Sequence, residues 1–291
     1  MYTKQAIRAL GATEAHFSDE QKTSLEQDGY YLIEGALSEA DCQRMRDAFE
    51  TLSDAENGRG GHEVHIEPGA RRVSNIFNKT DAFDTCLEIP EVLAGTHHLL
   101  GEFKVHGANL RDPDQGSGQQ ALHTDVPKKF ADDWWVMNAV VVLDEITLEN
   151  GPTRVLPGSH HWQPLNVSAV NMGDWEPPDA LSGEEQARVP SDLEATHPDE
   201  VLVTAPAGSV MMMNSSLWHS GTRKNDASPR RVLHLTYTRR DLPQQLTQID
   251  YLTPELYERM SPEHRFLLEI EPIGQQGVVR QPKRETSDWW S

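Results

Sequence analysis

Residues 134–143 read Trp-Trp-Val-Met-Asn-Ala-Val-Val-Val-Leu, and residues 231–238 read Arg-Val-Leu-His-Leu-Thr-Tyr-Thr. Both runs are short, rich in β-branched and aromatic side chains and bounded by turn-forming residues, which is the pattern of strands rather than helices. The same texture recurs at residues 103–110, 153–156, 201–203 and 210–213. Several short strands punctuated by turns predict a mainly β fold, a sandwich or barrel-like roll.

The flanks differ. Residues 18–56 predict a helix, a strand and a second helix. Ser18 and Gln21 form a capping-box pattern. Gln27-Asp28-Gly29 stops the first helix, and residues 30–33 are β-prone. Ser38 caps the second helix, with Cys42, Met45, Phe49 and Leu52 at helical spacing. Residues 54–70, rich in Gly and charge, predict an exposed loop. Residues 81–100 predict helix, with Pro90 at a junction. Residues 171–199 are rich in Pro, Asp, Glu and Ser, and an insertion of this kind between strands is a linker or an active-site lid. The expected organisation is one domain over 1–291: a helical part to about 102, a β core over about 103–240 carrying the 171–199 insertion, and an extension over 241–291.

A chain of 291 residues buries enough surface to fold without disulfides or a structural metal. Two cysteines, Cys42 and Cys86, make no disulfide framework and fit a reducing cytoplasm. There is no apolar run long enough to span a membrane, and the N-terminus lacks the apolar region of a secretory signal. A net charge of −20 argues against nucleic acid and anionic membranes as partners. It fits solubility first, and a cationic or zwitterionic substrate as the sharper alternative. Monomer and homodimer both fit.

The chemistry concentrates at four places. In His123-Thr124-Asp125, residues two apart on extended backbone share a face, so His123 and Asp125 can chelate one ion. His219 lies 94 positions beyond Asp125. Two histidines and a carboxylate form the facial triad of non-haem Fe(II) oxygenases, which leaves positions open for a bidentate 2-oxo acid and O2. Arg230, eleven residues after His219, opens the last strand and offers a forked, permanently charged partner for a carboxylate. Its neighbour Arg231 is the alternative. Between these lies Asn150-Gly151-Pro152-Thr153-Arg154-Val155-Leu156-Pro157-Gly158-Ser159-His160, a turn, a strand and another turn. Phosphate-binding Gly loops, nucleophile elbows and Cys-x-x-Cys pairs do not occur.

From about residue 18 to 240 these segments, in this order and spacing, resemble the phytanoyl-CoA dioxygenase family of 2-oxoglutarate oxygenases. The resemblance implies a double-stranded β-helix, the cupin-like jelly roll. It implies iron on His123, Asp125 and His219, 2-oxoglutarate anchored by Arg230, and a further contact to 2-oxoglutarate from Asn138. It implies O2-dependent hydroxylation of a C–H with release of succinate and CO2. Because Asp125 is a carboxylate, halogenation is disfavoured, whereas desaturation and cyclisation use the same ligands. Candidates for reading the substrate are Lys128, Trp134, Trp135, Arg72, His160 and Arg239. With no large basic cluster in an acidic chain, a small metabolite or natural-product intermediate is favoured over an acyl-CoA. The rival readings are a non-redox cupin-type metalloenzyme and a non-catalytic small-molecule-binding protein.

Overall fold

The computed structural model describes residues 1–167 and 182–270. Chain order begins with α1 (Thr3–Ala9), α2 (Asp19–Gln27), β1 (Tyr30–Ile33), α3 (Glu39–Glu56), β2 (Ala70–Val73), α4 (Ile76–Lys79) and α5 (Pro90–Leu100). It continues with β3 (Phe103–Pro113), β4 (Val136–Val142), β5 (Thr153–Val155), α6 (Gly183–Arg188) and β6 (Val201–Val203). It closes with β7 (Val210–Asn214), β8 (His219–Gly221), β9 (Val232–Arg239), α7 (Pro254–Arg259) and α8 (Pro262–Leu268). Among the described residues no helix is long and apolar enough to cross a membrane.

Two antiparallel sheets face each other. The larger runs β1-β7-β4-β9-β3-β2 and the smaller β6-β5-β8. This is the jelly roll with flanking helices that the strand pattern predicts. Strand β4 shows why its sequence is nearly all apolar: it is covered on both faces. Met137, Ala139 and Val141 join Phe49, Leu93 and Phe103 in the layer between the large sheet and the helices. Val140 and Val142 face the small sheet with Val155, Val203, Met211 and Met213. Each such fully buried side chain contributes roughly 1.5–3 kcal/mol. The same alternation turns Asn138 into the space between the sheets, where an apolar side chain would otherwise sit.

The helices begin where their caps stand. Ser18 accepts from Gln21 N at 3.2 Å, and Ser38 accepts from Asp41 N at 3.1 Å. Helix α3 buries Cys42, Met45 and Phe49 as its spacing predicts, but its last buried position is Ser53 rather than Leu52. Both cysteines are free and buried, and burial pushes the Cys86 thiol up.

Three expectations change. The helical part does not stop at the sheet: β1 and β2, from the first hundred residues, form its two edges. Residues 54–70 are not a free loop. Helix α3 runs on to Glu56, and the stretch that follows packs down because its acids have buried partners, as Ser74 donates to Glu63 and Arg111 to Glu67. Helix over 81–100 is broken into a 3-10 turn at Asp84–Leu87 and α5, because Pro90 can only open a helix. The insertion falls partly outside the described residues. Its described part carries α6, after which Leu122 N donates to Leu193 O at 2.8 Å, laying the returning chain along the site.

Candidate active site

His123 and His219 face each other across an isolated antiparallel bridge, with His123 N to His219 O at 3.0 Å and the reverse bond at 2.9 Å. Asp125 N donates to Ser215 O at 3.0 Å, which fixes the carboxylate on the same side. Asp125 Oδ1 lies 3.7 Å from His123 Nε2 and 3.6 Å from His219 Nε2. One donor atom from each of the three can be chosen so that all lie within 4.8 Å of one another.

The outer contacts set the chemistry of these donors. His123 Nδ1 donates to Ala121 O and His219 Nδ1 to Leu217 O, both at 2.8 Å. A carbonyl can only accept, so each Nδ1 carries a proton and each Nε2 is the ring nitrogen left to face the centre. Burial, then the neighbouring His219, lowers the His123 pKa to about 4 and keeps it neutral. Burial would raise Asp125, but His219, His123 and the hydrogen bond from Asn138 outweigh it and hold the carboxyl below its usual range. Asn138 Nδ2 donates to Asp125 Oδ2 at 2.6 Å. Two imidazoles with Nδ1 engaged and Nε2 turned inward, beside one carboxylate, form the type of donor set that suits a divalent first-row metal.

This trio lines a cavity of about 180 Å³ between the sheets. Arg230 lines the same cavity and is only 2% exposed. Among the described residues its Nε and Nη1 have no hydrogen-bond partner, and Nη2 makes one long contact, 3.4 Å, to Thr153 Oγ1. Burial and the nearby Arg111 guanidinium pull its pKa down to about 9. A buried, under-bonded guanidinium is expensive unless an anion completes it. The 2-oxo acid fits that vacancy in hydrogen bonding: its far carboxylate matches the planar fork. Arg231 is committed elsewhere, to Asp144 and Glu50 at 2.8 and 2.9 Å.

Of the substrate candidates, Arg72 lines the cavity. Among the described residues that line it, Trp134, Trp135, Lys128, His160 and Arg239 do not appear. They hold one another and the neighbouring chain instead. Lys128 Nζ donates to His160 O at 2.9 Å and stands over Trp134, whose ring packs 5.6 Å from that of His160. Trp135 Nε1 and Arg239 Nη1 both donate to Asp133, at 2.7 and 2.6 Å. The cavity walls add residues that the motif reading missed: His106, Asn109, Arg111, His234 and Gln245. Alternation in β9 carried a signal, since His234 and Thr236 follow Val232 on one face while Leu233, Leu235 and Tyr237 fill the other. Arg111 lies beyond 110, where the predicted strand ended.

A second acidic cluster, Glu56, His62 and Glu63, has metal-like proximity. Lys79 Nζ sits 2.5 Å from Glu56 and 2.6 Å from Glu63, so the chain itself supplies that cation.

Fold and donor set together define a non-haem iron, 2-oxo acid-dependent oxygenase. The chain belongs to the phytanoyl-CoA dioxygenase (PhyH) family, whose profile matches residues 25–232. L-proline trans-4-hydroxylase of Streptomyces griseoviridis is 27% identical over 237 residues, covering 73% of this chain and 83% of that one. HygX from Streptomyces hygroscopicus, solved with nickel and 2-oxoglutarate bound, shares the fold with a TM-score of 0.59 at 17% identity, covering 78% of this chain and 89% of that one. The non-heme alpha ketoglutarate dependent carbocyclase SnoK from nogalamycin biosynthesis gives a TM-score of 0.57 at 18% identity, covering 78% and 86%. The protein is therefore an Fe(II)/2-oxoglutarate-dependent dioxygenase.

Proposed function

We propose that the enzyme hydroxylates an unactivated C–H of a small molecule, with iron on His123, Asp125 and His219 and the far carboxylate of 2-oxoglutarate on Arg230. The observation that carries this reading is the buried guanidinium of Arg230, without a partner at Nε and Nη1, on the wall of the cavity that the triad lines. A non-redox metalloenzyme has no need of it, and the intact triad argues against a non-catalytic binding protein. Bound iron and 2-oxoglutarate supply the oxidation: 2-oxoglutarate and O2 yield succinate and CO2, and the second oxygen atom becomes the substrate hydroxyl.

The protein's part is positional. The carbonyls of Ala121 and Leu217 fix both imidazoles, and Asn138 fixes Asp125 by holding the carboxylate oxygen turned away from the histidines. The chain is similar to an L-proline trans-4-hydroxylase and shares its fold with a carbocyclase, and hydroxylation is the outcome that an intact carboxylate at Asp125 favours. The small polar cavity supports hydroxylation of a small metabolite over that of an acyl-CoA. Anaerobic addition of Fe(II) and 2-oxoglutarate should produce a weak visible charge-transfer band. Protein that binds Fe(II) yet shows no such band would exclude the reading.

A further inference from the structure

The cavity holds more positive charge than 2-oxoglutarate uses. Arg72 and Arg111 both line it, and they are direct cross-strand partners on β2 and β3. Like charges in that register oppose sheet formation. Arg111 is 4% exposed. One carboxylate serves both: Glu67 accepts from Arg111 Nε at 2.9 Å and from Arg72 Nη1 at 2.8 Å. Burial alone would raise Glu67, but the bonds and charges of Arg111 and Arg72 lower it to about 2, so it is ionised. The next acid, Asp112, belongs to Arg71 and Lys224 at 2.7 and 3.4 Å.

The charges around the cavity can then be counted with iron and 2-oxoglutarate in place. Three guanidiniums (Arg72, Arg111, Arg230) stand against Glu67, leaving two positive charges. Fe(II) less the Asp125 carboxylate adds one, and doubly charged 2-oxoglutarate removes two. Burial lowers His106 to about 4 and His234 to about 3, so both rings are neutral at pH 7. One positive charge is left over in a buried site, where an unbalanced ion costs several kcal/mol. On the same wall, Asn109 donates through Nδ2 to Gln245 at 2.8 Å, while its Oδ1 is buried with no hydrogen-bond partner among the described residues. It awaits a donor.

We propose that the substrate subsite takes a small carboxylic acid carrying an N–H or O–H donor, with the carboxylate at Arg72 and Arg111 and the donor at Asn109. This rests on the 2-oxoglutarate reading above. Size agrees, because a cavity of about 180 Å³ that also takes 2-oxoglutarate leaves room only for a small molecule.

The test uses the full-length enzyme loaded anaerobically with Fe(II) and 2-oxoglutarate. The probes are the free L-amino acids and three- to six-carbon hydroxy acids, each paired with its carboxamide, at millimolar concentration. Some of the acids should shift the charge-transfer band, and their amides should not. Arg72→Gln should weaken the responding acid by roughly 30-fold or more, as expected when one partner of a buried charge pair is lost. The 2-oxoglutarate titration should move less than about threefold, since Arg230 is intact. Amides acting as well as acids, or no acid acting, would overturn the subsite. So would Arg72→Gln weakening 2-oxoglutarate as strongly as Arg230→Gln, because Arg72 would then belong to the co-substrate anchor. A band missing before any acid is added would remove the 2-oxoglutarate reading and the subsite with it. If Arg72→Gln does not fold, the comparison of acid with amide on the wild type decides.

Discussion

Replacing Arg230 with methionine should act in opposite directions on binding and on folding. In the free protein this guanidinium is 2% exposed and, among the described residues, lacks partners at Nε and Nη1. A buried ion without compensation costs several kcal/mol, part of it offset by Thr153 and the neighbouring acids. Methionine fills similar volume without charge, so the apoprotein should gain about 1–2 kcal/mol. At about 2–4 °C per kcal/mol, Tm should rise by roughly 2–8 °C. Losing the bidentate partner of a carboxylate costs about 2–5 kcal/mol, so 2-oxoglutarate affinity should fall roughly 30-fold to several-thousandfold.

The sign can be checked by pH. Burial and Arg111 lower the Arg230 pKa from 12.5 to about 9. Between those values the unfolded chain binds the proton that the native state has released, so wild-type stability gains with rising pH through that window. The variant lacks that gain, and its advantage should shrink above pH 9. Thermal unfolding of both proteins in carboxylate-free buffer, with calorimetric titration of 2-oxoglutarate in the presence of a divalent metal, reads both effects. A destabilised apoprotein that binds 2-oxoglutarate normally would refute the reasoning.

Three further outcomes follow from named contacts. Asn138→Ala removes the 2.6 Å bond to Asp125 and should weaken metal binding by about 10- to 100-fold, while Asp125→Ala should abolish succinate formation. If Asn138→Ala moves only the 2-oxoglutarate titration, Asn138 contacts the co-substrate and does not set the carboxylate. Arg154→Ala breaks bonds to Ser220, to Leu193 O and to Glu200, leaving a buried acid, and should cost about 3–5 kcal/mol in urea unfolding and expose residues 182–200 to limited proteolysis. His160 is 1% exposed, and burial, then His161, lowers its pKa to about 4. Its contribution is present above pH 6.5 and is lost as pH falls toward 4, about 2 kcal/mol at pH 5, so His160→Gln should flatten the acid limb of the stability curve.

Strand positions were legible because burial on both faces leaves runs such as Val136–Val142, which admit few other readings. The His123, Asp125 and His219 constellation was legible because its members must share a face, and a bridge of two hydrogen bonds holds them there. The edges of the sheet were harder to see. Ala70–Val73 carries two arginines, and what makes it a strand is pairing with β3, a contact remote in sequence. Glu67 looked like part of a solvated loop because its partners lie at 72 and 111. Lys128, Trp134 and His160 attracted attention through their nearness to the metal motif along the chain, yet the backbone turns them toward α2, where His160 Nε2 meets Glu26 O at 3.3 Å.

The acidic composition speaks to the surface and not to the cavity. A net charge of −20 fits solubility first, with a cationic or zwitterionic substrate as the sharper alternative. Exposed charges are screened over about 8 Å in physiological salt, so the surface says little about a buried cavity. Inside, the sign reverses: Arg72, Arg111 and Arg230 face one structural carboxylate. Such a cavity is costly in the free protein, and its anionic ligands remove that cost. Folding and ligand binding are therefore linked. A co-substrate at a hundred times its Kd should add about 2.7 kcal/mol to stability, and a second anion at Arg72 should add its own increment. The two increments should add only if the anions occupy separate guanidiniums, because competition for one site would make the second addition nearly silent.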